Sequence, residues 1–306
     1  MKKFMLILAV LLTAQSGRAC DVCGCAGASG TYFPGTMNGE SQFGLSYQYL
    51  AFKSRHLPSI LQGQLGEERI SSEKFHLMNL GVRYRFLPNW QAIVQAPYQV
   101  VLKSDQGIHT RISGMADIQL GLARQVSFDS LKGLDRWIWV AEYDLKLPTG
   151  TYTTQDLSEQ VSRFMFPGTG SFDHFFRLSS QLKRKNWLLS FGGLFRLNGE
   201  GPDQLNWGNR LQAQSELGRS IKLKNKHELF FSMGYVYEHS RSDFQKGVEL
   251  PFSSYSIGQA KLSIQWRKAS WAAAGIVYLP VHGGLAEGRV TMTQRFQIQL
   301  IYFPKF

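Results

Sequence analysis

From residue 41 to the end of the chain one pattern recurs: ten or more residues in which apolar and polar side chains alternate, then a break. Twelve segments carry it, near 41–53, 73–87, 89–103, 114–127, 135–148, 172–184, 186–198, 207–222, 226–240, 253–267, 269–281 and 290–303. In the third, Trp90, Ala92, Val94, Ala96, Tyr98 and Val100 share one face, and Gln91, Gln95 and Gln99 occupy the other. In the last, Phe296, Ile298, Leu300 and Tyr302 oppose Arg295, Gln297 and Gln299. A period of two with one apolar and one polar face describes strands covered by an apolar medium on one side. The chain is therefore all-β, and its 13% aromatic residues and 30 Gly suit strands joined by tight turns.

A soluble sandwich and a transmembrane barrel share this alternation, the first with its apolar face inward and the second with it outward to lipid. Three features select the barrel. The segments are longer than the five or six residues usual in globular sheets and match the roughly 9–11 needed to cross a bilayer at a tilt. The connections alternate in length: Leu87-Pro88-Asn89, Arg184-Lys185-Asn186, Lys222–Lys226 and Arg267–Ser270 are short, and Asp129–Leu134 is somewhat longer. Ser54–Ser72, Lys103–Ser113, Pro148–Ser171, Gly199–Asn206, Ser240–Phe252 and Pro280–Arg289 are long. Short periplasmic turns and long external loops produce that rhythm. Finally, Trp90, Trp137, Trp187, Trp207, Trp266, Trp271, Tyr302 and Phe303 recur at segment ends, where amphipathic rings meet the membrane–water boundary. The expectation is a 12-stranded antiparallel transmembrane β-barrel over 41–306. The in-phase aromatic terminus, Phe306, matches the signal read by the barrel-assembly machinery.

Upstream, Lys2 and Lys3, the apolar run Phe4–Thr13 and Gly17-Arg18-Ala19 have the layout of an export signal over 1–19. That run is too short for a helical membrane span, and no longer apolar run follows it. The sequence places the chain in a Gram-negative outer membrane, in contact with its lipid, with 20–40 as a periplasmic segment. The formal charge of +12 falls to +9 once the leader is removed, which by itself selects no partner. Phosphate-cradling and nucleic-acid motifs are absent, so nucleic acid is not an expected partner.

Projecting the polar faces inward lines the lumen with Arg83, Arg85, Lys146, Arg177, Arg196, Arg210, Lys261 and Arg295, against Asp117, Glu142, Asp144, Asp173, Glu216, Glu228 and Glu238. Near balance argues against a strongly charge-selective pore, which would show a one-sided ladder. The same charges could pair and close a narrow interior, because twelve strands fall between filled small barrels and wide porins.

All three cysteines sit in Cys20-Asp-Val-Cys23-Gly-Cys25, a spacing that can gather thiolates around Cu(I) or Zn(II). A disulfide between two of them, lipidation of Cys20 and an inert cluster are open alternatives. His56, His109, His239 and His282 fall in expected external loops without metal-ligand spacing. A hydrolase set of Ser179, His174 and Asp173 fails because adjacent strand residues point to opposite faces, so an enzyme is not expected.

Three stretches resemble the outer-membrane barrel family named for the MetA pathway of phenol degradation, whose members are described as transporters. They are Gly114-Met-Ala-Asp117, Leu147-Pro-Thr-Gly150 and Pro167-Gly-Thr-Gly-Ser171 with Phe172-Asp173. The first departs from the form Gly-x-Gly-Asp at Ala116. The resemblance implies uptake or efflux of small hydrophobic compounds. The function expected from the sequence is passive passage of a small solute, linked to soft-metal handling through the cysteines. The alternative is a non-conducting barrel that anchors periplasmic partners.

Overall fold

The structure, a computed structural model, describes residues 40–56, 69–129, 134–153, 165–250 and 252–304. The expected leader, Cys20, Cys23 and Cys25, and Phe306 lie outside these residues. Twelve barrel strands follow in order: β1 Gln42–His56, β2 Arg69–Leu87, β3 Trp90–Asp105, β4 in two pieces (Ile108–Met115 and Gln119–Asp129) and β5 Arg136–Lys146. They continue as β6 Asp173–Arg184, β7 Trp187–Asn198, β8 Arg210–Lys222, β9 His227–Ser240, β10 Tyr255–Lys268, β11 Trp271–Leu285 and β12 Val290–Tyr302. Each pairs antiparallel with its neighbours in sequence, and β1 pairs with β12 from Phe43↔Tyr302 to Ser54↔Val290, which closes the wall.

The alternation has the orientation of a membrane barrel. Leu45, Leu80, Val94, Leu120, Phe176, Phe195, Met233, Leu262 and Ile298 are exposed on the outside, each more than 40% accessible. Their strand neighbours Ser46, Asn79, Gln95, Gln119, Arg177, Arg196, Ser232, Lys261 and Gln297 are buried inside. Exposed apolar area of this extent, arranged as a continuous band, is stable against acyl chains and not against water.

The two ends differ as the connection lengths foretell, with two corrections. Lys103–Ser113 is not an irregular loop: β3 and β4 stay paired to Asp105↔Ile108 around the two-residue turn Gln106-Gly107. Both turn residues have positive φ, 47° and 81°, the geometry that matches strand twist in a tight hairpin. Pro280–Arg289 likewise belongs largely to β11, which runs to Leu285 before a 3₁₀ turn at Ala286–Gly288. There the β11–β12 ladder lapses between Tyr278↔Arg295 and Leu285↔Val290, while β10 and β1 hold the two strands from their other sides. A small sheet of Leu205–Asn206, Phe244–Gln245 and Val248–Glu249, which the sequence pattern does not announce, ties two long loops together.

At the long-loop end the interior turns apolar. Phe52 and Phe75 meet edge to face with centroids 5.7 Å apart, and Leu50, Val101, Leu285 and Met292 join them from the wall. Met165, Leu205 and Trp207 enter from the loops. This cluster seats the loops in the mouth.

Candidate functional site

The polar lumen begins below that cluster. The residues singled out from the sequence occupy the inner wall, and most are joined in ion pairs that cross strands. Arg83 of β2 reaches across to Glu142 of β5, Nη2 to Oε2 at 2.5 Å. Arg177 of β6 bonds the other Glu142 oxygen at 2.5 Å and also Asp144. Lys261 meets Glu216 at 2.7 Å, and Arg295 lies 2.8 Å from the Gln259 amide oxygen and 3.8 Å from Glu238. The expected near balance of charge therefore exists as discrete pairs. Arg210 is buried at the top of β8. Arg85 keeps the inward register but stands exposed at the short-turn rim, where its backbone N–H donates to Ser41 Oγ.

A second group of charges organises the mouth around Asp117, in the break between the two pieces of β4. Its Oδ2 accepts from Lys146 Nζ at 2.6 Å and from the Thr169 N–H at 3.0 Å, and its Oδ1 accepts from the Gly150 N–H at 2.9 Å. Lys146 also lies 3.0 Å from Asp173, which takes Arg196 Nη2 at 2.6 Å. The three stretches that carry the family resemblance, far apart in sequence, thus converge on one carboxylate. Gly168 packs against Gly150 so closely that an added Cβ would lie 2.5 Å from the Gly150 carbonyl carbon, which leaves no room for a side chain. At the break in β4 the wall passes from Met115, in an outward row, to Gln119, in an inward one, and Asp117 between them receives these donors.

Polar satisfaction is incomplete deeper down. Gln99, Gln119, Gln297 and Gln299 each bury at least one amide atom with no protein partner among the described residues. Such a group costs roughly 1–3 kcal/mol unless a water or solute completes it. Burial is also uneven around the wall. Inward residues of β1–β6 are mostly buried, whereas Leu188, Ser190, Gly192 and Leu194 of β7, Gln212 and Gln214 of β8 and Gly234 of β9 are half-buried. This side of the lumen, with small residues at Ser190 and Gly192, is therefore the more accessible one, although the Gln214 side chain lies against Gly192 and the Ser215 carbonyl oxygen against Gly234.

Outside the strands, Asp243 holds two loops together. It is buried, accepts the Gly208 N–H at 2.6 Å, and its own N–H donates to Ser253 Oγ. Burial pushes its carboxyl up to about 6, against the pull of the Gly208 N–H and of the Arg210 and Arg196 guanidiniums. The folded protein then holds this proton more tightly than the unfolded chain. The contribution to loop stability is complete below the ordinary value of 3.8 and is lost as pH rises through about 6. Hydrogen exchange at the Gly208 amide, corrected for its intrinsic rate, is expected to be slower at pH 5 than at pH 7.5. Asp243→Asn should remove that difference.

The histidines expected in loops are instead on or beside strands. His239 bonds Ser256 Oγ at 2.8 Å, His282 stacks on Tyr235 and Tyr237, and His56 bonds Ser71 Oγ at 2.9 Å. The sheet also splits the hydrolase set: His174 faces outward to Tyr143, while Asp173 faces inward to Arg196.

By sequence the chain matches no family profile and no curated protein. Its fold is similar to the crystal structure of an outer membrane channel from Pseudomonas putida F1, with TM-score 0.65 and 12% identity over 89% of this chain and 99% of that one. The β domain of the Bordetella autotransporter BrkA (TM-score 0.45, 9% identity, 87% and 100% covered) and the KdgM porin (0.39, 10%, 85% and 99%) are more distant. The alternation, the closed ladder and the first of these likenesses agree: the chain folds as a twelve-stranded β-barrel of the outer-membrane type.

Proposed function

We propose that this barrel passes a small solute across the outer membrane, and that the arrangement described here is its closed state. The half-buried inner face of β7–β9 is the observation that carries the reading, because a lumen filled for stability alone would be packed evenly on all sides. The incompletely bonded glutamine amides supply hydrogen-bonding stations along the way, and paired charges leave no net field to select ions. The apolar mouth favours a solute with an apolar body, in keeping with the compounds the family resemblance implies. Recordings from purified protein in planar bilayers test this. Small, well-defined conductance steps and swelling of protein-bearing liposomes in a small neutral solute are expected. A silent barrel whose N-terminal segment captures a periplasmic protein would support the anchor reading instead, which the tightly paired side of the lumen favours.

The N-terminal segment would add soft-metal handling at the short-turn, periplasmic end. Cys20, Cys23 and Cys25 offer three thiolates without a fourth protein ligand nearby in sequence, a set suited to transient exchange of Cu(I). Titration with Cu(I) should give one equivalent bound by the wild type and none by Cys23→Ser/Cys25→Ser. Equal stoichiometry in the two ends the metal role.

A further inference from the structure

We propose that the outer face of β1–β4 at the long-loop end is a binding site for a phosphate-bearing glycolipid of the outer leaflet. Ladder register fixes which side chains lie side by side there. One outward row is Ala51, Lys74, Leu102 and Arg111, and the next row toward the loops is Lys53, Ser72, Ser104 and His109. Lys53, Lys74, His109 and Arg111 are all exposed. Lys53 and Lys74 are diagonal neighbours, about 7–8 Å apart, and Lys74 and Arg111 are two strands apart, about 10 Å. Three fixed cations, a histidine and two serine hydroxyls thus form one platform of hydrogen-bond donors to phosphate.

Its height on the barrel decides what it can meet. Going down from the platform, the rows read Tyr49, His76, Val100 and Ser113, then Tyr47, Met78, Tyr98 and Met115, then Leu45, Leu80 and Ala96. The face passes from basic through aromatic to purely apolar. Lys74 stands ten residues along β2 from Tyr84, near the opposite rim. At roughly 3.3 Å per residue and a tilt of about 40° that is about 25 Å, the height of the apolar band of such barrels. The cations therefore sit at headgroup level, with Tyr49, Tyr47 and Tyr98 beneath them at the start of the acyl region.

The platform is also one-sided. Among the described residues the acids of this region, Glu73 and Asp105, point inward and are 1% and 7% exposed, so neither neutralises the outer face. The outward positions at the same end of β5–β12 are Tyr143, Leu145, His174, Leu197, Leu211, His239, Ser256, Leu279 and Thr291, without a lysine or arginine. A generic attraction to an anionic leaflet would not gather every such cation on four adjacent strands. The proposal rests on the long loops facing outward and not on passage of a solute, so a barrel that conducts nothing would still hold the lipid.

The test is a titration of the purified full-length protein, in detergent, with bis-phosphorylated lipid A and with the same lipid stripped of phosphate, read by native mass spectrometry. Each cation at an anionic lipid surface contributes about fivefold to affinity. Lys53→Gln/Lys74→Gln/Arg111→Gln should therefore bind the phosphorylated lipid roughly 100-fold more weakly than the wild type. Arg124→Gln/Arg219→Gln, which removes cations stacked on Trp90 and Trp187 at the other rim, should leave binding unchanged. If the triple variant does not fold, the wild type decides alone, by preferring the phosphorylated form. Equal affinity for the two lipid forms overturns the proposal. So does a lipid-free dimer that the triple variant dissociates, which would make the platform a contact between copies.

Discussion

Tryptophan in place of Gly192 is expected to cut unit conductance at least tenfold, whereas tryptophan in place of the adjacent Gly193 should leave it unchanged. The two glycines are consecutive on β7. Gly192 faces the lumen opposite Gln214, whose amide nitrogen would lie 3.0 Å from an added Cβ, and Gly193 faces outward, where an added Cβ would meet only the Gln212 carbonyl oxygen, at 3.9 Å. An indole at Gly192 would project into the half-buried side of the lumen, and the same indole at Gly193 would lie among acyl chains. Composition, charge and backbone propensity change identically in the two variants, so a difference between them reports which side of the wall each residue faces. Equal conductance in both would remove the half-buried side of the lumen from the mechanism.

Replacing Arg177 with alanine is expected to destabilise the barrel by about 3–5 kcal/mol, measured as a lower urea midpoint for unfolding in detergent or lipid. Arg177 is the partner shared by Glu142 and Asp144, which are 6% and 0% exposed. Glu142 keeps Arg83, so most of the loss arises at Asp144, left charged and unpaired in the interior. Adding Asp144→Asn to Arg177→Ala should therefore recover a large part of the stability. If the single variant unfolds at the wild-type midpoint, these charges are already hydrated by a wider lumen than their burial indicates.

The period-two pattern was enough to read twelve strands and which side chains face in, because lipid on one side and polar groups on the other impose the alternation directly. It failed where that contrast ends. Beyond the apolar band β3 and β4 continue as a paired ribbon through Lys103, Asp105 and Ile108, but the outward pair there, Ser104 and His109, is polar as well, so the sequence loses its signature although the ladder persists. The same applies to β11 beyond Tyr278. Site residues were legible as inward charges, but not their partners, since Arg83 reaches a strand three places away. The junction at Asp117 was visible as three motifs and not as one place. Their meeting depends on loop closure over more than 50 residues, from Asp117 to Thr169, which no local spacing encodes. Asp243 gave no sign at all, because its importance lies in being buried beneath loops.

The seam between β1 and β12 has a consequence for how the chain is made. Residues more than 200 positions apart in sequence become neighbours there, so every shorter piece of the chain presents two raw sheet edges to whatever surrounds it. Nascent or truncated polypeptide cannot shield those edges by itself, and they stay open to pairing until the final strand arrives. Reaching the finished cylinder is then a single late event, and a defect confined to the last thirteen residues of the wall would discard the work of all the preceding ones.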